Sequence, residues 1–214
     1  WKVQIWYQNG EASGWSNVSN FYTGIIHKDD WKARWIEAAD TAINAPLLRK
    51  TFNLNERVEK AIAHVTGLGD YEFYVNGEKT GDHVLDPAIT SYSKRVLYST
   101  YDITSKLTSG SNAVGIMLGD GALRMEKIED RYSWGGISND FGAPKGLLQI
   151  KITLSDGTQK TITTDESWSS SEGPITFNHF YAGEDYDARK EKTDWSTSEY
   201  DASGWKDVRE AEGP

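Results

Sequence analysis

The chain has 214 residues, a formal net charge of −9 and no cysteine, and its pI is near 5.0. Disulfides and thiolate metal sites are excluded, and a chain of this length buries a core without a covalent staple. The acidic balance argues against nucleic acid, whose backbone is met by clustered Lys and Arg, and no apolar run approaches the ~20 residues of a membrane-spanning helix.

Trp1 to Tyr7 alternates as a strand, and since it opens without an initiator the chain is expected to be a fragment. Trp31, Trp35 and Ile36 read as an anchoring segment, with Ala38 to Ala45 an irregular approach to Pro46. Strands are predicted over Leu47–Leu54 and Arg57–Val65, the second burying Ala61, Ala63 and Val65. Tyr71, Phe73 and Val75 then alternate with Glu72, Tyr74 and Asn76, the period-two pattern of a half-buried strand. Asn76-Gly77 accepts positive φ at both central positions of a type I′ turn, so the chain doubles back through Glu78 to Thr80. Gly81 to Tyr92 contains Pro87, which has no N–H to give a ladder, and is predicted as a long presented loop.

Asp102 or Thr104 is placed to cap a helical turn through Lys106 and Leu107, with Gly110 as its stop. Asn112–Leu118 is the next strand, with Val114, Ile116 and Leu118 on one side. Between Gly119 and Leu147 the pattern breaks into Gly, Asp, Arg and aromatic residues, as functional loops do. Leu147–Leu154 and Gln159–Asp165 form a hairpin around Asp156-Gly157, and Ile175–Tyr181 is the last clear strand. Trp195, Tyr200 and Trp205 read as a strap over the body. Short strands separated by turn residues, with no long 3.6-period segment, define an all-β chain folded as an antiparallel β-sandwich. The 9 Trp and 11 Tyr are many for this length; most must fill the core or cover strands, and the remainder are candidates for stacking on sugar rings.

The order of small motifs is more specific than any strand. Tyr71-Glu72-Phe73-Tyr74-Val75-Asn76-Gly77, Gly81-Asp82, Leu85-Asp86-Pro87, Thr90-Ser91-Tyr92 and Tyr98-Ser99-Thr100-Tyr101-Asp102-Ile103-Thr104 come first. Gly110, Asn112-Ala113-Val114, Leu118-Gly119-Asp120-Gly121, Asp156-Gly157, Asp165, Trp168, Gly183-Glu184 and Tyr186-Asp187-Ala188-Arg189 follow. Together they resemble the N-terminal β-sandwich domain of bacterial α-L-rhamnosidases, over roughly residues 31 to 210. The resemblance implies a jelly-roll-like sandwich of carbohydrate-binding-module type over residues 27–214. Asn9 to Ser16 resembles the last turn and strand of a fibronectin-type module, so residues 1–26 are expected to be the remnant of such a module or an extra strand.

In the resembled enzymes the catalytic acid and base lie in a separate α/α toroid, so no catalytic residue carries over to this chain. The implied role is a non-catalytic accessory domain of a glycoside hydrolase, engaging rhamnose-containing glycans and placing the downstream catalytic domain. The alternatives are a purely structural docking domain without sugar binding and, third, a fragment that hydrolyses glycosides itself. A secreted or periplasmic location is implied by the resemblance. After Leu118-Gly119-Asp120-Gly121 many relatives continue with an aromatic pair, whereas this chain has Ala122-Leu123.

Some relatives bind L-rhamnose through calcium, an ion that takes hard oxygen ligands from loop tips. Asp82, Asp86, Asp120, Asn139 and Asp140 occupy the two irregular loops, and Asp82 and Asp120 are the candidate calcium ligands. Asx residues equally favour turns by bonding their own backbone. Tyr92 and Trp134 are placed to pack on the apolar face of a deoxysugar, which completes a candidate carbohydrate-binding set of Asp82, Asp86, Tyr92, Asp120, Trp134 and Asn139. The acids of Gly183–Arg189 are expected to form a buried network with Arg189 that fixes the tail. His27, His64, His83 and His179 lack metal-binding spacing, and His83 alone lies in the presented loop. Phosphate-binding loops and a Gly-x-Ser-x-Gly elbow are missing, which leaves nucleotide binding and serine-hydrolase chemistry unsupported.

Overall fold

The structure, a computed structural model, describes residues 1–133 and 139–214. Its chain divides into two compact units, Trp1–Asp30 and Trp31–Pro214, so the division falls slightly beyond the expected residue 26. The first unit is an irregular hairpin around Asn9-Gly10. The amides of Ser13, Ser16 and Ser19 donate to the carbonyls of Ile5, Val3 and Trp1 at 2.8, 2.8 and 2.9 Å. On this hairpin Lys2 Nζ lies 4.3 Å over the Trp15 ring. The strand expected over Trp1–Tyr7 is one arm of it.

The second unit is built from short strands: β1 Trp35–Ala38, β2 Pro46–Leu54, β3 Val58–Leu68, β4 Asp70–Val75, β5 Glu78–Lys79, β6 Ser99–Asp102 and β7 Gly110–Gly119. There follow β8 Arg124–Met125, β9 Asn139–Asp140, β10 Lys145–Leu154, β11 Gln159–Thr163, β12 Ser169–Glu172, β13 Ile175–His179, β14 Gly183–Tyr186 and β15 Lys206–Ala211. All strand pairings among the described residues are antiparallel. One half runs β5-β4-β7-β2-β12 and the other β1-β10-β3-β6, with β11 on β10; β15 pairs with both β12 and β1 and joins the halves. The two halves stack as a β-sandwich.

Alternation puts Leu48, Phe73, Val75, Val114, Ile116 and Leu118 of one half into the same core as Ala61, Ala63, Val65, Leu148, Ile150 and Ile152 of the other. Gly146 marks how close the halves come: a Cβ there would stand 3.2 Å from Ile116 and 3.6 Å from Leu48. The faces of β4 and β7 follow the sequence reading. β3 is buried on both faces from Ala61 to Leu68, because Trp31 and Tyr98 pack edge-on over His64 on its outer side.

Several short strands, β6, β12 and β14 among them, go beyond the expected set, and two matter for how the halves join. The anchoring segment contains a true strand, β1, and the C-terminal strap ends in another, β15, which buries Val208 alone. One apolar residue leaves no periodicity to read, and β15 is held through its backbone pairing instead. The expected buried network at Arg189 is also replaced. Arg189 pairs locally with Asp187 at 2.7 Å, and its side chain is 89% exposed. The tail is fixed from below by the buried Arg49, which donates to the carbonyls of Trp195 and Thr197 at 2.9 and 2.7 Å and faces the rings of Tyr200 and Trp205. Gly110 opens β7 and does not end the preceding 3₁₀ turn at Thr104–Lys106.

Candidate functional site

The site grows out of the turn after β4. Asn76 and Gly77 take φ of 49° and 90°, the left-handed values a type I′ turn requires, and the chain returns through β5 into the irregular segment 81–98. Asp86 holds this segment. Its carbonyl accepts the Tyr71 amide at 2.8 Å, and its Oδ2 accepts from His83 Nδ1 at 2.7 Å, Ser99 Oγ at 3.0 Å and the Tyr71 hydroxyl at 3.3 Å. The Tyr101 hydroxyl lies 3.3 Å from the same His83 nitrogen. At the tip, the amides of Lys94 and Arg95 donate to the Ser91 carbonyl at 2.8 and 3.1 Å, and Thr90 Oγ1 donates to Arg95 O at 2.7 Å. The returning limb is tied by Thr66 Oγ1, which donates to Leu97 O at 2.6 Å.

Two further segments meet this tip. In the stretch after β7, Asp120 is buried and its oxygens accept from Arg124 Nη2 at 2.9 and 3.0 Å. Its amide donates to Asn178 Oδ1 at 2.7 Å. On β13, His179 Nδ1 accepts from the amides of Tyr181 and Ala182 at 3.1 and 3.0 Å, so Nε2 carries the hydrogen and donates to the Glu126 carbonyl at 2.9 Å. That clasp sets Phe180 and Tyr181 beside the loop.

Between the three segments lies a hollow of about 350 Å³ lined by Ile89, Thr90, Ser91, Tyr92, Ser93, Ala122, Met125, Phe141, Phe180 and Tyr181. Tyr92 and Phe141, edge to face at 6.0 Å, also border a second hollow of about 270 Å³ reaching Lys145 and Glu212. Among the described residues, the lining of the first hollow carries hydroxyls and rings but no charged side chain. Ala122 and Leu123 are both buried, and the small Ala122 side chain leaves that hollow open.

The charges stand just outside. Burial, reinforced by Asp86, pushes the Asp70 carboxyl up to about 6. The hydrogen bond and charge of Asp86 raise His83, and burial, then the Asp70 charge, raises the Tyr92 hydroxyl. Burial outweighs the Arg124 guanidinium and raises Asp120.

Of the sequence candidates, Tyr92 lines the hollow and Asp86 stands behind it as an anchor. Asp82 is exposed and faces His83 and Tyr101. Asp120 is committed to Arg124. Asn139 lies on β9 opposite Met125, and Trp134 lies outside the described residues. Asp82 and Asp120 are not brought together as ligands of one ion. Asp82 and Asp120 belong to separate clusters, Asp120 has spent both oxygens on Arg124, and among the described residues no group of three or more His, Asp or Glu is placed to hold a metal. Phe141, Phe180 and Tyr181 were not singled out from sequence: Phe141 carries the signal of an aromatic residue in an irregular segment, whereas Phe180 and Tyr181 were read as part of the strand that in fact ends at His179.

Comparison with known proteins places this geometry. Residues 56–214 match the family model described as the Alpha-L-rhamnosidase N-terminal domain. An alpha-L-rhamnosidase of Formosa agariphila is 38% identical over 96% of this chain and 24% of the relative's length, so the chain spans about a quarter of that protein. The structure of alpha-L-rhamnosidase from Dictyoglumus thermophilum superposes with a TM-score of 0.82 at 36% identity, covering 99% of this chain and 24% of the other. Native rhamnosidase from Aspergillus terreus gives 0.89 at 32% identity, covering 100% and 25%. A β-sandwich with these motifs, matched over most of its length, belongs to the α-L-rhamnosidase N-terminal domain family.

Proposed function

We propose that the chain is a non-catalytic accessory domain of an α-L-rhamnosidase, a glycoside hydrolase, and that it recognises rhamnose-containing glycans at the hollow beside Tyr92 while placing a catalytic domain of the same polypeptide. The observation that carries this reading is the uncharged hollow with ring faces and hydroxyls on its walls. A deoxysugar offers a C–H face and methyl group to aromatic rings, and its hydroxyls pair with neutral donors and acceptors. The relatives act as whole rhamnosidases four times as long, which supports a second domain as neighbour. Exposed Val84, Leu85, Ile89 and Phe141, between 53% and 74% accessible, supply an apolar rim for it. A secreted or periplasmic setting, where polymeric glycans are met, accords with this role.

Titration calorimetry with L-rhamnose, with and without EDTA, tests the reading. Heat that survives EDTA and is weakened about tenfold by Tyr92→Ala, equivalent to ~1.4 kcal/mol, is the expected result. Absence of heat in the wild-type chain would leave docking as the whole function; removal of the domain from the parent enzyme would then still lower the thermal midpoint of the remainder.

A further inference from the structure

Between Asp86 and Ser99 the chain leaves the sheet, turns on itself over Thr90–Arg95 and returns. Asp86 Oδ2 meets Ser99 Oγ at 3.0 Å, so this carboxylate, beside the main-chain bond from Tyr71 and the Thr66 hydroxyl on Leu97 O, closes the neck of a compact loop whose ends are adjacent. The same oxygen takes the hydroxyl of Tyr71 on β4 and the imidazole of His83. The tip is bonded within itself, and it therefore moves with the neck as one piece. Ile89 and Tyr92, which form one wall of the hollow, are carried on that piece.

We infer that Asp86 is a positioning residue, whose carboxylate pins the loop neck to β4 and β6 and so sets where Tyr92 and Ile89 stand in the wall. This departs from direct contact between Asp86 and sugar. The three donors all meet Oδ2, so an Asn would keep them through its carbonyl oxygen, whereas Asp86→Ala removes the acceptor and leaves all three donors without it. The identity of the ligand at Tyr92 rests on the function proposed above; the role of Asp86 in holding the loop does not.

Limited trypsin digestion of the 214-residue chain separates the two, since Lys94 and Arg95 lie at the loop tip while Arg49 and Lys50 lie in β2. Asp86→Ala is expected to speed cleavage after Lys94 or Arg95 at least tenfold, with cleavage in β2 unchanged and L-rhamnose affinity reduced. Tyr92→Ala is expected to reduce affinity and leave cleavage as in wild type. Should Asp86→Ala fail to fold, Ser99→Ala, which removes one donor at the neck, is expected to speed tip cleavage several-fold. Unchanged tip cleavage in the folded variants, or acceleration equal at the tip and in β2, would overturn the inference. Absence of L-rhamnose binding with accelerated tip cleavage would remove the sugar reading alone.

Discussion

Asp70 opens β4 with its carboxylate against the backbone of Gly121 and its charge near Asp86. Its folded value, about 6, lies above the unfolded value of 3.8, so the folded state binds the proton more tightly. The resulting stabilisation is complete below the unfolded value and is lost as pH rises through about 6. His83 is raised beside Asp86, and its contribution likewise falls as pH rises, over a higher window that begins at its unfolded value. Relative to Asp70→Asn, the wild-type thermal midpoint should fall as pH rises from about pH 4 to pH 8, with most of the change between the unfolded value and about 6. A wild-type midpoint that does not fall relative to Asp70→Asn between pH 4 and pH 6 would contradict the assignment. Tyr92 was legible as an aromatic of a presented loop because Pro87 bars that loop from the sheet, and it does line the hollow. Asp86 was legible as a loop acid but not as an anchor, since its donor Ser99 belongs to the next strand and nothing local announces the meeting. Arg49 gave no sign at all, because its partners are carbonyls of a tail 146 and 148 residues away.

Turns with a strict backbone requirement were read correctly at the scale of elements. Asn76-Gly77 and Asp156-Gly157 both close hairpins, β4–β5 and β10–β11, since few residues accept positive φ cheaply. Elements with little apolar content were missed, as β1 and β15 illustrate. The strap over β7 lies on a glycine for a steric reason: a Cβ at Gly115 would overlap the Trp195 ring, which itself stacks with Trp205 at 6.1 Å. Gly115→Ala should therefore cost about 1–3 kcal/mol, the usual penalty of overpacking. Denaturant unfolding would give the loss, and faster proteolysis between Lys192 and Trp205 would place it in the strap. A variant as stable as wild type would show that the tail repacks without strain.

For the whole molecule the decisive element is β15, which pairs with β12 on one side and β1 on the other. Truncation after Trp205 should abolish the cooperative thermal transition or lower its midpoint by more than 10 °C, roughly the effect of losing several kcal/mol in a domain of this size. Circular dichroism would register it, and a midpoint within a few degrees of wild type would assign the joining of the halves to side-chain packing. By itself the sequence determined an all-β chain, its tight turns, the inward faces of β4 and β7, and the ordered motifs of its family, because each is written in neighbouring residues through period-two alternation or local backbone preference. Tertiary structure alone decided that Asp120 would be consumed by Arg124, that Asp86 would close a loop, and that Tyr92 would face Phe141 with Phe180 across the hollow. The second and third join side chains 13 or more residues apart, and the first, only four apart, forms because that irregular stretch after β7 is buried beside β13; all three are set by how strands pair and stack.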